Sequence, residues 1–235
     1  MEKTYKVTYK TYFNDRLKQV TFHGVLTYPL YVQVTFNRIT IVFKSYYFEL
    51  FSKERYALFM SGKIHGPAIK EIIEKENVLV NYIIEKNLPD FTLEKFKQDY
   101  ALYSKDLCDE TEKGFIDYLY VFFTDKGMPT LASAIKEGSR FQVAYELIYN
   151  MRIALKPNLY KELIENSIYY APPYLSLYAC MKQIKKWPML CLTVMEWQDE
   201  KIKEKFTKNL LINFKNIDAY KVLQQVDKFI IPEKN

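Results

Sequence analysis

The stretch Tyr28–Ser45, YPLYVQVTFNRITIVFKS, decides the fold class. Its residues alternate in character. Val32, Val34 and Phe36 fall on one side of an extended chain, and Tyr31, Gln33 and Thr35 on the other. Asn37–Arg38 supplies a two-residue turn, a weaker signal than Asn-Gly. Beyond the turn Ile39, Ile41 and Phe43 resume the apolar side, and Thr40, Val42 and Lys44 the other. The stretch therefore reads as an antiparallel hairpin with one apolar face. Such a face must be buried, most simply against a helix.

The residues ahead of it alternate too. Tyr5, Val7, Tyr9, Thr11 and Phe13 share one face, and Lys6, Thr8, Lys10 and Tyr12 the other. The segment FNDR turns the chain, because Asn and Asp tolerate turn dihedrals. LKQVTFHG continues as a second strand that Gly24 ends. After Tyr46 the pattern is mixed up to a break between Gly62 and Pro67.

From Ala68 the period becomes helical. Ile69, Ile72, Ile73, Leu79, Val80, Ile83 and Ile84 form a stripe at spacings of three and four, ended by Asn87-Leu88-Pro89. A second helix opens at Thr92, an N-cap followed by a carboxylate. Further helices follow to the end of the chain. Pro157, Pro172, Pro173 and Pro188 stand where helices start or break. The expected fold class is α+β, with a small N-terminal antiparallel sheet in residues 1–63 and a larger all-α domain in residues 64–235.

Composition narrows the function classes. With 49% hydrophobic and 26% charged residues, the chain of 235 residues has a globular composition and can bury a core. Only 6 Gly are present, which disfavours glycine-rich nucleotide loops. Lys far outnumbers Arg and Tyr is abundant, a bias that an AT-rich genome also produces, so raw counts carry little weight. Charge distribution carries more. Residues 1–63 hold 10 basic and 4 acidic side chains, whereas residues 64–235 hold 24 of each. The whole excess of +6 thus sits in the strand-like front, as in a module that faces a polyanion.

Catalytic arrangements are scarce. His23 and His65 are the two histidines, and each neighbours a glycine. No GxSxG, Walker A, GxGxxG or HExxH motif occurs. Cys108, Cys180 and Cys191 are too scattered for a CxxC site, and their odd number fits a reducing, cytoplasmic setting over a disulfide framework. Asp109–Glu112 reads as an acidic helix N-terminus. Trp187 and Trp197 read as core or interface anchors. Neither an enzyme activity, a cofactor nor a metal site is expected. The N-terminus has no apolar signal core, and no run of about 18 apolar residues suits a membrane span.

With these residues in view, YPLYVQVTFNRITIVFKS resembles the hairpin of the arm-type DNA-binding region of tyrosine recombinases, the phage-type integrases of Bacteroidetes mobile elements. IKEIIEKENVLVNYIIEKN, DFTLEKFKQDY and FIDYLYVFFTDKG resemble the helices that follow in that family, the last being like the first helix of its core-binding domain. The likeness covers residues 20–62, runs more loosely to about 150 and stops there. The family's catalytic set is missing: no HxxR occurs, no His lies beyond His65, and Tyr220 has no catalytic company. Recombinase chemistry therefore does not carry over.

The resemblance implies a sheet that docks in a groove of duplex DNA. Lys6, Thr8, Lys10, Gln33, Thr35, Arg38, Thr40 and Lys44 are the candidate contacts, the cations to phosphates and the polar side chains to base edges. The expected function is a non-catalytic DNA-binding protein of a mobile or phage element. The alternative is a protein-interaction module, regulatory or linked to phage or defence, that uses the sheet edge and the aromatic-rich helices. That half of the chain would also carry any homo-oligomer contact.

Overall fold

The computed structural model describes residues 6–214 and 217–230. Tyr5 lies outside the described residues. The fold is α+β, with small antiparallel sheets at the N-terminus followed by helices. The chain divides into two compact units, Met1–Lys105 and Asp106–Asn235. The boundary expected after residue 63 thus falls inside the first unit.

Five strands open the first unit: β1 (Thr8–Phe13), β2 (Val20–Phe22), β3 (Val25–Thr27), β4 (Leu30–Phe36) and β5 (Ile39–Lys44). β4 is central in a three-stranded sheet ordered β1-β4-β5, all neighbours antiparallel. The strand read from LKQVTFHG pairs with β3 instead, as a separate hairpin inserted between β1 and β4. The mixed segment after Tyr46 forms a helix, α1 (Tyr46–Phe51), a 3-10 turn and a third hairpin of β6 (Leu58–Met60) and β7 (Lys63–His65). Each hairpin turns on two residues with positive φ: His23 (48°) and Gly24 (82°), Asn37 (51°) and Arg38 (65°), Ser61 (52°) and Gly62 (76°). Two positive values in succession match the right-handed twist of the flanking strands.

Two helices complete the unit, α2 (Ile69–Asn87) and α3 (Leu93–Tyr103). The side chain of Thr92 accepts from the Lys95 amide, as an N-cap should. The inner face of the sheet packs on these helices. Leu30, Val32 and Val34 are buried with Ile72, Leu79, Val80 and Ile83 of α2. Phe43 of β5 meets the Tyr100 ring of α3 at 4.4 Å, and Thr11 of β1 donates to Asn77 Oδ1 of α2 at 2.8 Å. This packing moves the boundary. A three-stranded sheet with one apolar face cannot close a core alone, so the next helices belong to it.

One buried polar cluster ties these layers. The Glu76 carboxylate on α2 accepts from the Ser45 hydroxyl, from the Tyr100 hydroxyl at 2.6 Å and from the backbone N–H of Tyr47. Tyr100 in turn accepts from the Tyr46 amide at 3.0 Å. Ser45 also caps α1, its Oγ accepting from the Phe48 amide at 3.1 Å. The end of β5, the start of α1, α2 and α3 thus meet at one carboxyl group.

The second unit is helical: α4 (Leu107–Asp125), α5 (Pro129–Gly138), α6 (Ala144–Ala154), α7 (Pro157–Tyr170), α8 (Tyr174–Ile184), α9 (Val194–Trp197), α10 (Glu200–Asn213) and α11 (Ala219–Ile230). Pro157 sits in the first turn of α7 and Pro173 caps α8, while Pro188 follows the end of α8. α4 touches α5, α6, α7, α8 and α11, with Phe115, Leu119 and Phe123 fully buried. Asp109 and Glu110 lie in the first turn behind the N-cap Asp106, as expected, whereas Glu112 lies beyond that turn and is buried. Gly114 lets α4 approach the α7–α8 corner, because a Cβ there would lie 2.6 Å from Pro172 Cγ. Trp197 is buried and donates to Asp227 Oδ1 at 3.0 Å, whereas Trp187 is substantially exposed. The three cysteines are buried thiols, and no two of them form a disulfide.

Burial raises the Glu76 pKa above its ordinary 4.5, so the folded unit holds that proton more tightly than the unfolded chain. The linked stability is complete below 4.5 and is lost as pH rises through the folded value. Urea unfolding of wild type and Glu76→Gln across this range checks it. The gap in favour of the Gln variant should widen above pH 4.5 and stay constant below. Glu76→Ala, which strands two hydroxyls and an amide, should cost about 3 kcal/mol below pH 4.5 and less as pH rises and wild type loses its linked stability.

Candidate nucleic-acid interface

The register of the β1-β4-β5 sheet sorts its outer face into rows. Thr8, Thr35 and Thr40 lie side by side across the three strands. Lys10, Gln33 and Val42 form the next row, and Tyr12, Tyr31 and Lys44 the third. Successive side chains of a strand point to opposite faces, so burying Val32 and Val34 presents Tyr31, Gln33 and Thr35 outward. No carboxylate occupies any of these nine positions.

Six of the eight candidate residues fall in these rows: Thr8, Lys10, Gln33, Thr35, Thr40 and Lys44. Lys6 is exposed two residues ahead of Thr8. Arg38 is not a strand residue but the second residue of the β4–β5 turn, beside the threonine row. The hydroxyls of Thr35 and Thr40 bond each other at 2.9 Å. Lys44 pairs with Glu49 of α1 at 3.1 Å, and that hydrogen bond raises its pKa. Among the described residues Lys44 alone of the four cations has a carboxylate partner, so part of its charge is already cancelled.

Arg38 is costly to its own fold. At φ 65° its Cβ crowds the backbone, a conformation in which a non-glycine residue loses roughly 1 kcal/mol. A turn chosen for stability alone would carry Gly there, as the other two hairpins do with Gly24 and Gly62. A strained residue kept where glycine fits better points to a use for its side chain.

Tyr12 and Tyr31 belong to the same face but not to the candidate set. They sit directly opposite each other, with ring centroids 6.5 Å apart and a tilt of 40°. Lys10 Nζ lies 4.9 Å from the Tyr12 ring centre. The alternation that placed Gln33 and Thr35 outward also places these rings outward. Discounting tyrosine as compositional bias hid them.

Other places offer less. His23 is held in its turn, with Nε2 2.6 Å from the Phe51 carbonyl oxygen, and His65 is exposed on β7. In the second unit a cavity of about 210 Å³ is lined by Tyr145, Ile148, Tyr149, Tyr160 and Leu175 among others. Tyr145 and Tyr160 have pKa values raised by burial there, so they remain neutral phenols. Among the described residues no group of three or more His, Cys, Asp or Glu could hold a metal ion. No family model, curated protein or solved structure matches the chain.

Arg38→Gly separates stability from charge. Urea denaturation should show the variant more stable than wild type by about 1 kcal/mol, because Gly adopts positive φ without strain. An unchanged or lower stability would mean that the guanidinium does structural work in the turn.

Proposed function

We propose that the chain is a DNA-binding protein without recombinase chemistry, associated with a mobile or phage element, and that it contacts duplex DNA through the outer face of the β1-β4-β5 sheet. The face, with no carboxylate in its nine row positions and with Lys6, Lys10, Arg38 and the Glu49-paired Lys44 along its edges, carries this reading. Its dimensions suit it. Three strands span roughly 10 Å between outer axes, and the major groove is about 12 Å wide. The threonine row and Gln33 provide donors and acceptors for base edges, and Arg38 and the lysines provide phosphate contacts. The charge of the first unit agrees, with 16 basic and 11 acidic residues against 18 and 17 in the second. The element association rests on the resemblance of residues 20–62 to the recombinase arm-binding hairpin.

A cytoplasmic location fits this role and the absence of disulfides among the three cysteines. No helix among the described residues is long and apolar enough to cross a membrane.

Exposed apolar side chains away from the sheet favour a second reading, a protein-interaction module. Leu26, Phe59 and Met60 on the short hairpins, and Ile153, Tyr170 and Ile212 on the helices, are all exposed.

Titration of a labelled duplex at several salt concentrations tests the DNA reading. With Lys6, Lys10 and Arg38 neutralising phosphates, log affinity should fall against log salt with a slope of about −3. Changing those three to Glu should remove binding while circular dichroism stays unchanged. Salt-independent binding, or an unaffected triple variant, rules the face out. A blank titration combined with self-association in light scattering would favour the second reading.

A further inference from the structure

The outer face is not uniform along its strands. Its threonine row lies at the β4–β5 turn, with Arg38, and its aromatic row, Tyr12–Tyr31–Lys44, lies at the other end. Between them stands the row of Lys10, Gln33 and Val42. A surface that reads only paired DNA needs donors, acceptors and cations, because the π-faces of stacked bases are already covered. Two partly exposed tyrosines side by side on such a surface serve a different contact.

We infer that the Tyr12–Tyr31 pair is a stacking platform for unpaired bases, so that the sheet binds a junction between duplex and single strand. This rests on the DNA reading above and sharpens its substrate. The tyrosine rings do not stack on each other: centroids 6.5 Å apart and tilted by 40° leave ring surface for a base to cover. Cations stand where the linking phosphates would pass. Lys10 Nζ is 4.9 Å from the Tyr12 ring centre, and Lys44 is directly opposite Tyr31 on β5. Gln33, diagonal to Tyr12 on the central strand, brings an amide to the edge of a stacked base. The three-threonine row and Arg38 then face the paired part of the same molecule.

The packing argues against a purely structural role. The sheet's core contacts are made by the opposite face, through Leu30, Val32 and Val34, all buried. Cross-strand tyrosines do stabilise a sheet, but that contribution survives in a Tyr→Phe change and is small beside base stacking.

Fluorescence anisotropy with three labelled DNAs tests the platform: a blunt duplex, the same duplex with a short unpaired tail, and the single strand alone. The tailed duplex should bind wild type more tightly than the blunt one. Tyr12→Ala and Tyr31→Ala should each weaken the tailed duplex by roughly one to two orders of magnitude, the worth of one stacked base. They should leave the blunt duplex unchanged. Tyr12→Phe and Tyr31→Phe should bind like wild type, because the ring does the stacking. Equal binding of blunt and tailed duplexes, with Ala variants indistinguishable from wild type, overturns the platform and leaves the DNA reading standing. Phe variants as weak as Ala variants also overturn it, since the hydroxyl would then be the contact. Absence of binding to all three DNAs overturns the DNA reading and the platform together.

Discussion

A carboxyl group without solvent organises the first unit. Glu76 is wholly buried, and its isolation would be expensive without partners. Its partners are the strand end, the helix start and the neighbouring helix, through Ser45, Tyr47 and Tyr100. Each of those groups would be a buried orphan without it. The second unit repeats the device. Glu112 on α4 accepts from the Ala144 amide at 2.9 Å and from the Tyr174 hydroxyl at 3.0 Å, and Tyr174 accepts from the Tyr145 amide at 3.1 Å. In both units a glutamate on a 19-residue helix and a tyrosine together satisfy the free N–H groups at the start of another helix. A helix N-terminus is a favourable place for a carboxylate, which offsets part of the burial cost.

The consequence for the site is indirect but strict. Pinning Ser45 to Glu76 sets which way β5 runs over α2 and α3, and therefore which face of the sheet is consumed by the core. Pairing has period two, so the opposite face receives every intervening side chain. Thr40, Val42 and Lys44 are outward because Ile41 and Phe43 are inward. The polar surface is thus the complement of a buried one, and its lack of carboxylates is the feature that packing leaves unexplained.

Much of this was legible. The alternation in Tyr28–Ser45, the turn at Asn37–Arg38, the stripe of α2 and the cap at Thr92 follow from periods and local backbone preferences. The short hairpins were harder. Val25–Thr27 and Lys63–His65 have three residues each, too few for alternation to register, and only the turn pairs His23–Gly24 and Ser61–Gly62 mark them. The unit boundary was misplaced because charge changes near residue 63 while the core does not. The near-neutral helices that follow residue 63 are the ones that bury the sheet's apolar face. Tyr12 and Tyr31 were legible as outward residues, yet the value of the pair depends on β1 lying beside β4, a register between segments that local sequence does not state.

The sequence by itself determined the α+β class, the faces of β1, β4 and β5, the limits of α2, the start of α3 and the absence of HxxR, because these depend on periodicity within a window or on residue identity. Tertiary structure decided the strand order β1-β4-β5, the assignment of α2 and α3 to the sheet and the meeting of Tyr12 with Tyr31. Those depend on which distant segments share a core. That choice is made by burying apolar area and satisfying Glu76 at the same time, a condition on the whole unit and not on any window of its chain.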